Sequence, residues 1–169
     1  MWLTLLGALA IGGVAVAFYR SATTTVVLLV TPVEKTPGTI DDPPLSPEGE
    51  QRAQQLAQML GDAEGTGRLD AIYVSDERRA RQTASPLAER LRRAPVVFSS
   101  REARATAARV LKDHPGGTVL VVCSGAALSQ IVQELQGTGS LPAGQGASDA
   151  IYIVSVPSFG RAHLVRLRL

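Results

Sequence analysis

Two candidate nucleophiles follow an apolar run late in the chain. The run TVLVV (118–122) is followed directly by Cys123 and Ser124. A thiol or a hydroxyl attacks only when a base or a positive neighbour activates it. Neither residue has a histidine close in sequence, and the spacing C-x5-R is absent because Ser129 occupies the sixth place after the cysteine. Two interpretations of Cys123 remain open, an alternative nucleophile and inert packing inside an apolar strand.

A second group of polar residues follows another apolar run, TTVVLLV (24–30). Thr31 and Pro32 come directly after it. Both runs are continuously apolar and rich in β-branched residues, as in strands that are buried on both faces of a parallel sheet. Because ligands of such sheets bind at the carboxyl ends of the strands, we expect Thr31 and Pro32 to lie beside Ser124.

Two residues at this edge of the sheet are candidates for binding an anion. Lys35 carries positive charge, and Ser124 precedes a predicted helix whose first N–H groups are free to bind an anion.

The elements that must position these residues alternate between strands and helices. Such alternation predicts an α/β domain with three layers, in which helices flank a mostly parallel central sheet. The final segment AHLVRLRL alternates Arg with Leu, as in an edge strand with one wet face. The predicted strands are 24–30, 70–74, 96–98, 118–122, 151–156 and 162–169, and the predicted helices begin at Ser46-Pro47 and cover 77–91, 101–112 and 125–135.

Length and composition limit the class of protein. The chain has 169 residues, enough for one ordinary domain, which we place at 21–169. Its 17 basic and 15 acidic residues nearly balance, which argues against a nucleic-acid-binding protein. A single cysteine excludes an internal disulfide, and His114 and His163 are too few and too scattered for a zinc site. We expect no metal and no cofactor.

The amino-terminal segment is apolar and uncharged up to Arg20. A helix over residues 2–19 would approach the thickness of the hydrocarbon core of a bilayer, so we predict a transmembrane anchor at 1–20. The alternative is a cleaved signal peptide, because Ala15-Val16-Ala17 fits the small-x-small cleavage pattern. If the segment is an anchor, the protein is single-pass, and Arg20 is the only charge that flanks the span. Positive flanks prefer the cytoplasm, so the domain is expected on the cytoplasmic face. If the segment is a signal peptide, the domain is expected in the periplasm or outside the cell.

Four ordered fragments give the chain a resemblance to a known family. They are LLVTPVEK, DDPPLSPEGEQRAQQLA, DAIYVSDERRARQTASPLAERL and HPGGTVLVVCSGAAL. From about residue 24 to 169 the chain resembles the histidine phosphatase superfamily, the phosphoglycerate-mutase-like phosphatases. The resemblance implies a phosphate pocket in which a first-strand histidine attacks phosphorus. Two arginines and a second histidine surround the phosphoryl oxygens there.

The same resemblance shows where this sequence departs from the family pattern. Thr31 stands in place of the first arginine, Pro32 in place of the nucleophilic histidine and Ser124 in place of the second histidine. Arg79 keeps the family's residue, and Lys35 also matches. The resemblance therefore implies a remnant anion site formed by Arg79, Lys35 and Ser124. The alternative for Arg79 is an internal ion pair with Glu34 or a loop aspartate, since buried arginines are normally paired. A proline nitrogen has no lone pair to attack phosphorus, so the family's mechanism is excluded on chemical grounds.

We therefore expect a membrane-anchored pseudophosphatase that acts as a binding or scaffolding module. Its expected partners are the membrane, a phosphate or phosphorylated ligand, and a protein. The alternative is a phosphomonoesterase with weak or rewired activity that uses Ser124 or Cys123 as nucleophile. A third alternative is purely structural, with the pocket filled by its own side chains.

Overall fold

A computed structural model describes residues 23–32, 41–61, 69–137 and 150–168. Among these residues, no helix has the length and apolar character needed to cross a bilayer. The anchor predicted at residues 1–20 lies outside the described residues, and so does Lys35, a candidate anion-binding residue.

The described residues form a three-layer α/β structure around a six-stranded sheet. A single 3-10 turn, Ser100–Glu102, leads into the third helix. The strands are Thr24–Val30 (β1), Ala71–Ser75 (β2), Val96–Phe98 (β3), Thr118–Val122 (β4), Ala150–Pro157 (β5) and His163–Arg168 (β6). The helices are Pro47–Gly61 (α1), Arg78–Leu91 (α2), Ala103–Asp113 (α3) and Gly125–Gln136 (α4).

The strand order is β3-β2-β4-β1-β5-β6. The first four strands in this order pair in parallel, whereas β5 pairs antiparallel with both β1 and β6. The sheet is therefore mixed, with the predicted parallel arrangement in its β3 to β1 part. The β1–β4 register sets Val30 opposite Val122, so both strands end at the same level.

Alternation of side chains along β1 builds two cores, one on each face of the sheet. Val30 packs in the cluster that contains Leu56 of α1 and Leu87 of α2. Leu29, the neighbouring residue, packs in the cluster that contains Ile131 of α4. The continuous apolar run of β1 follows from this arrangement, because helices cover both faces of the strand.

The first helix begins where the sequence predicts, at Pro47 after the cap residue Ser46. The Ser46 hydroxyl accepts a hydrogen bond from the Gly49 N–H at 3.1 Å, which satisfies one of the free donors of the first turn. The Leu45 N–H donates to Gln82 Oε1 of α2 at 3.0 Å. This bond ties the loop that enters α1 to the helix that carries Arg79.

The last strand is an edge strand in which two of the three apolar side chains are exposed, whereas Leu164 is half-buried against the core. Val165 is 53% exposed and Leu167 is 48% exposed. Arg166, which lies between them, is half-buried, with its guanidinium 5.9 Å from the centre of the Tyr152 ring. Arginine can occupy this half-buried position because its side chain is amphipathic. Its methylene groups and planar guanidinium pack against an aromatic ring, while the charge remains near solvent.

Candidate functional site

The residues that follow β1, β2 and β4 meet at the carboxyl edge of the parallel strands. Val30 of β1 and Val74 of β2 both lie opposite Val122, the last residue of β4. The Cys123 N–H donates to the Val30 carbonyl at 3.1 Å, which holds the end of β4 against the end of β1. This edge is where the sequence predicts the site.

A depression of about 380 Å³ opens at this edge. It contains three carboxylates and one guanidinium, so the charge of its lining is negative overall. Ser124 adds a hydroxyl at the start of α4. The lining residues are Asp42, Pro43, Asp76, Glu77, Arg79 and Ser124.

The Arg79 side chain is half-buried and lines the depression. In the described part of the chain, no hydrogen bond or ion pair joins its guanidinium to another residue. Of the alternative partners of Arg79, Glu34 lies outside the described residues, and the loop aspartates beside it, Asp42 and Asp76, form no ion pair with it within the described ranges. A guanidinium has five donors in a planar fork, a geometry that suits bidentate binding of an oxyanion.

The carboxylates of the depression are used to fix the surrounding backbone. Asp42 Oδ1 accepts from the Arg78 N–H at 2.7 Å. Asp76 Oδ1 accepts from the Ser100 N–H at 3.2 Å and from the Ser100 hydroxyl at 3.3 Å. The hydroxyl of Ser100 also lies 3.3 Å from Glu77 Oε1. These contacts connect the loop after β2 to the 3-10 turn after β3.

Several buried oxygens at this edge have no hydrogen-bond partner among the described residues. Thr31, which follows β1, is 6% exposed, and Ser75, the last residue of β2, is fully buried. The hydroxyls of both residues and Glu77 Oε2 lack partners there. Because an unsatisfied buried polar group costs about 1–3 kcal/mol, this edge of the sheet retains unused hydrogen-bonding capacity.

Pro32 is buried directly after Thr31. Its ring nitrogen belongs to a tertiary amide, so it has neither a proton to donate nor a basic lone pair. Pro32 therefore contributes only apolar surface to the space at the end of β1.

Ser124 is the N-cap residue of α4 and is half-buried. Its hydroxyl makes no side-chain capping hydrogen bond, although its backbone has the extended conformation typical of a cap. A Cβ placed on the next residue, Gly125, would meet open space. The start of α4 therefore presents a hydroxyl and free N–H groups to the depression.

Cys123 has the properties of a packing residue. It is fully buried within the core cluster that includes Ile131. Burial, with a smaller contribution from the negative charge of Glu77, raises the pKa of the Cys123 thiol to about 12. A thiol with this pKa is protonated at neutral pH, and the protonated form is a poor nucleophile.

Both histidines of the chain lie at the opposite end of the sheet. His114 precedes β4, where its Nε2 is 3.2 Å from the Tyr73 hydroxyl and its carbonyl accepts from Thr25 Oγ1 at 3.3 Å. His163 begins β6 and pairs with Ser155. Since the chain contains two histidines, no imidazole is present at the carboxyl edge.

The carboxylates of the depression were not singled out in the sequence analysis. Asp76 and Glu77 directly follow β2, so the rule that pointed to Thr31 and Ser124 at the ends of their strands would have found them. Asp42 lies in the loop before α1, and only the fold brings it to this edge. Within the described ranges, no three His, Cys, Asp or Glu side chains are grouped to hold a metal ion.

Comparison with protein families gives one match. The model of the histidine phosphatase superfamily (branch 1) matches residues 30–102. This range includes Thr31, Pro32 and Arg79 and ends before Cys123 and Ser124. A search of curated protein sequences found no significant match.

Solved structures share the fold along most of their length. The protein histidine phosphatase SixA in complex with tungstate has a TM-score of 0.67 and 18% identity, covering 85% of this chain and 96% of that chain. A mycobacterial glucosyl-3-phosphoglycerate phosphatase has a TM-score of 0.66 and 14% identity, covering 83% and 97%. A phosphoglycerate mutase from Plasmodium falciparum has a TM-score of 0.61 and 19% identity, covering 86% and 91%.

Proposed function

We propose that this chain, which has the histidine phosphatase superfamily fold, is a membrane-anchored binding module without phosphatase activity. One observation carries the proposal: both histidines of the chain lie at the end of the sheet opposite to the candidate site. A reaction that passes through a phosphohistidine needs an imidazole at the carboxyl edge. Pro32, Ser124 and Cys123 do not supply one.

The expected loss of activity is large. Removing a catalytic nucleophile typically lowers the rate by about 10⁴–10⁶. The remaining residues of the same catalytic unit do not recover that rate, because their effects depend on the nucleophile. Thr31 adds no positive charge where the family resemblance expects an arginine. Arg79 is then the one described side chain of the lining that retains the charge needed to stabilise a phosphoryl group.

Ligand binding is proposed to depend on Arg79. Its guanidinium has no internal partner among the described residues, and bidentate binding of a phosphate fits its geometry. Two of the similar structures hold oxyanions, tungstate in one and inorganic phosphate in the other. The carboxylates beside Arg79 favour a phosphorylated ligand that also carries amine or hydroxyl donors, because such a ligand matches both signs of charge.

The binding proposal is tested by ligand-dependent thermal stability. A ligand that binds the folded state alone raises the melting temperature. We expect millimolar phosphate or vanadate to raise the melting temperature of the wild type and of Arg81→Ala, an exposed arginine on the same helix. We expect Arg79→Ala to abolish the increase. If the melting temperature of the wild type does not change, or if that of Arg79→Ala rises equally, the binding proposal is contradicted. The purely structural alternative would then remain.

The second candidate function is a phosphomonoesterase with a rewired nucleophile. The half-buried hydroxyl of Ser124 at the depression favours Ser124 over the buried Cys123 in this role. The two functions differ in turnover of an aryl phosphate. Turnover above background that is lost in Ser124→Ala but kept in Ser129→Ala, an exposed serine of the same helix, would establish the enzyme.

Membrane attachment through residues 2–19 is part of the proposal and is supported by the uncharged run of the sequence. A protein partner of this membrane-attached module is also part of the proposal. Determining the amino-terminal residue of the membrane-extracted protein distinguishes an uncleaved anchor from a cleaved signal peptide. Accessibility of the domain to added protease in intact cells determines the side of the membrane.

A further inference from the structure

The chain enters the sheet a short distance after its apolar amino-terminal segment. The uncharged run ends at Tyr19, and Thr23 is the first residue that the structure describes. Even a fully extended chain advances at most about 3.6 Å per residue, so Thr23 lies within about 14 Å of the end of that run. If the run spans the membrane, the amino-terminal end of β1 is held close to the bilayer.

The turn between β5 and β6 is fastened directly to this entry point. The Ser158 N–H donates to the Thr23 carbonyl at 3.0 Å, and the Ser158 hydroxyl donates to the same carbonyl at 2.7 Å. The turn between α3 and β4 packs beside it, since a Cβ placed on Gly116 would lie 2.6 Å from Thr23 Cβ. Both turns are therefore held at the same end of the sheet as Thr23.

The fastened turn carries the most exposed large apolar side chain among the described residues. Phe159 is 72% exposed and lies between Ser158 and Gly160, whose φ of +110° is suited to glycine. Arg161 follows in an exposed position. An aromatic ring beside a basic residue suits the bilayer interface, where the ring enters the headgroup region and the cation attracts anionic lipids.

We infer that this amino-terminal pole of the sheet, formed by the turns 114–117 and 157–160 with Arg161, rests on the bilayer and places Phe159 in its interface. The inference depends on the proposed anchor at residues 1–20. Charge at the pole is mixed, since Lys112 and Asp113 of α3 are both exposed near the turn 114–117. Burial of the Phe159 ring therefore supplies the main attraction, and Arg161 adds to it on anionic membranes.

The orientation has a consequence for the candidate site. The site lies at the carboxyl end of β1, and a strand of seven residues rises about 23 Å. The depression around Arg79 then faces the aqueous phase on the side away from the membrane. Its phosphorylated ligand arrives from solution or from another protein, and a lipid headgroup of the same bilayer cannot reach it.

The test uses the full chain in vesicles of phosphatidylcholine and phosphatidylglycerol, with an environment-sensitive fluorophore on an engineered cysteine. All variants carry Cys123→Ala, so that one thiol is labelled. Phe159→Cys reports the pole, and Arg101→Cys, exposed in the 3-10 turn at the carboxyl edge, is the matched control. We expect the probe at position 159 to be blue-shifted and quenched by lipids with brominated chains, and the probe at 101 to be unaffected.

Co-flotation of the chain with the vesicles separates the two possible failures. A chain that does not float with vesicles overturns the anchor and this orientation together. A chain that floats, but whose probe at position 159 remains aqueous, overturns the orientation alone. A blue shift at position 159 without quenching by brominated lipid indicates burial against protein, such as a second copy, and also overturns it.

Discussion

Burial determines what Cys123 contributes. In sequence the residue is a candidate nucleophile beside Ser124, whereas in the structure it is fully enclosed between β4 and the helices of one face. The position alone could not distinguish these roles, because the same apolar strand leads to both. The surrounding core raises the pKa of the thiol, and this shift can be measured through stability.

The pH dependence of unfolding tests the environment of Cys123. An unfolded thiol ionises near pH 8.5, whereas the folded thiol has a pKa of about 12. Between these values the unfolded chain has released a proton that the folded chain keeps, so stability falls as pH rises. From pH 7.5 to 10.5, we expect urea denaturation to show the wild type losing about 2–3 kcal/mol more than Cys123→Ala.

The matched variant isolates the thiol in that experiment. Tyr73, whose pKa is also raised by burial, titrates in both proteins and cancels from the difference. Equal losses in the two proteins would mean that the folded thiol ionises as easily as an exposed one. A nucleophilic role for Cys123 would then regain support.

Arg79 shows how far residue patterns alone predict a site. The family resemblance around Arg79, together with Thr31 and Ser124 at strand ends, was enough to predict a candidate site at the carboxyl edge. The carboxylates that surround it were not expected, because Asp42 comes from a loop that only tertiary folding brings near. That Arg79 lacks an internal partner in the described part of the chain depends on distances that no sequence pattern contains.

At the scale of the elements, the sequence predicts the bounds of strands better than it predicts helix starts or the pairing of distant strands. The observed bounds of β1, β3 and β4 equal the predicted ones. For β1 and β4, continuous β-branched runs between polar breakers mark strands that are buried on both faces. β3 is a short edge strand in which Val96 and Val97 are exposed. The segment predicted as one helix from residue 101 begins with the 3-10 turn Ser100–Glu102. The place of β5 beside β1, antiparallel in a mixed sheet, is a long-range pairing without a local signal.

The turn between α3 and β4 supplies a matched pair of glycine variants. Gly116 and Gly137 both have a φ of +74°, so an alanine at either position costs about 1–2 kcal/mol of backbone strain. At Gly137 the new Cβ meets nothing within 4 Å, whereas at Gly116 it lies 2.6 Å from Thr23 Cβ. We expect Gly116→Ala to lose about 1–3 kcal/mol more than Gly137→Ala, measured by chemical denaturation.

The glycine comparison also tests the packing of the amino-terminal pole, which we propose rests on the bilayer. The excess cost at Gly116 arises only if the turn 114–117 is held against the start of β1. Equal destabilisation of the two variants would show that this turn moves away freely, and the pole would not be the fixed surface that the structure describes.

At the scale of the whole molecule, the chain shares its fold with solved phosphatases and a mutase, and we propose that it lacks the residues that would perform the reaction. The six-stranded sheet and a depression at the carboxyl edge of its parallel strands are present among the described residues. Neither histidine of the chain lies at that edge, and Thr31 carries no positive charge there. The account therefore predicts that activity depends on few side chains and not on the fold.

Restoring those side chains tests this view. In the triple variant Thr31→Arg, Pro32→His, Ser124→His, the new imidazole at position 32 can form a bond to phosphorus while the phenolate of the aryl phosphate leaves. Water then attacks the phosphohistidine, which releases inorganic phosphate and restores the imidazole. We expect hydrolysis of an aryl phosphate above the wild-type background. The double variant Thr31→Arg, Ser124→His is the control, since it has the restored binding groups without the nucleophile. We expect it to hydrolyse the aryl phosphate no faster than the wild type.

A folded but inactive triple variant would argue that the depression cannot adopt the geometry of a phosphatase pocket. Circular dichroism of each variant distinguishes this outcome from misfolding, since Thr31 is buried and its replacement by arginine needs space. That result would also argue against aligning Pro32 with the nucleophilic histidine of the histidine phosphatases.

The most direct measurement of the central claim is the intact mass of the purified wild-type chain, taken during incubation with acetyl phosphate and with an aryl phosphate. The account predicts an unmodified mass, because none of Pro32, Ser124 and the buried Cys123 forms a covalent bond to phosphorus. A mass increase of one phosphoryl group, mapped to Ser124 or Cys123 and absent from the corresponding alanine variant, would contradict it.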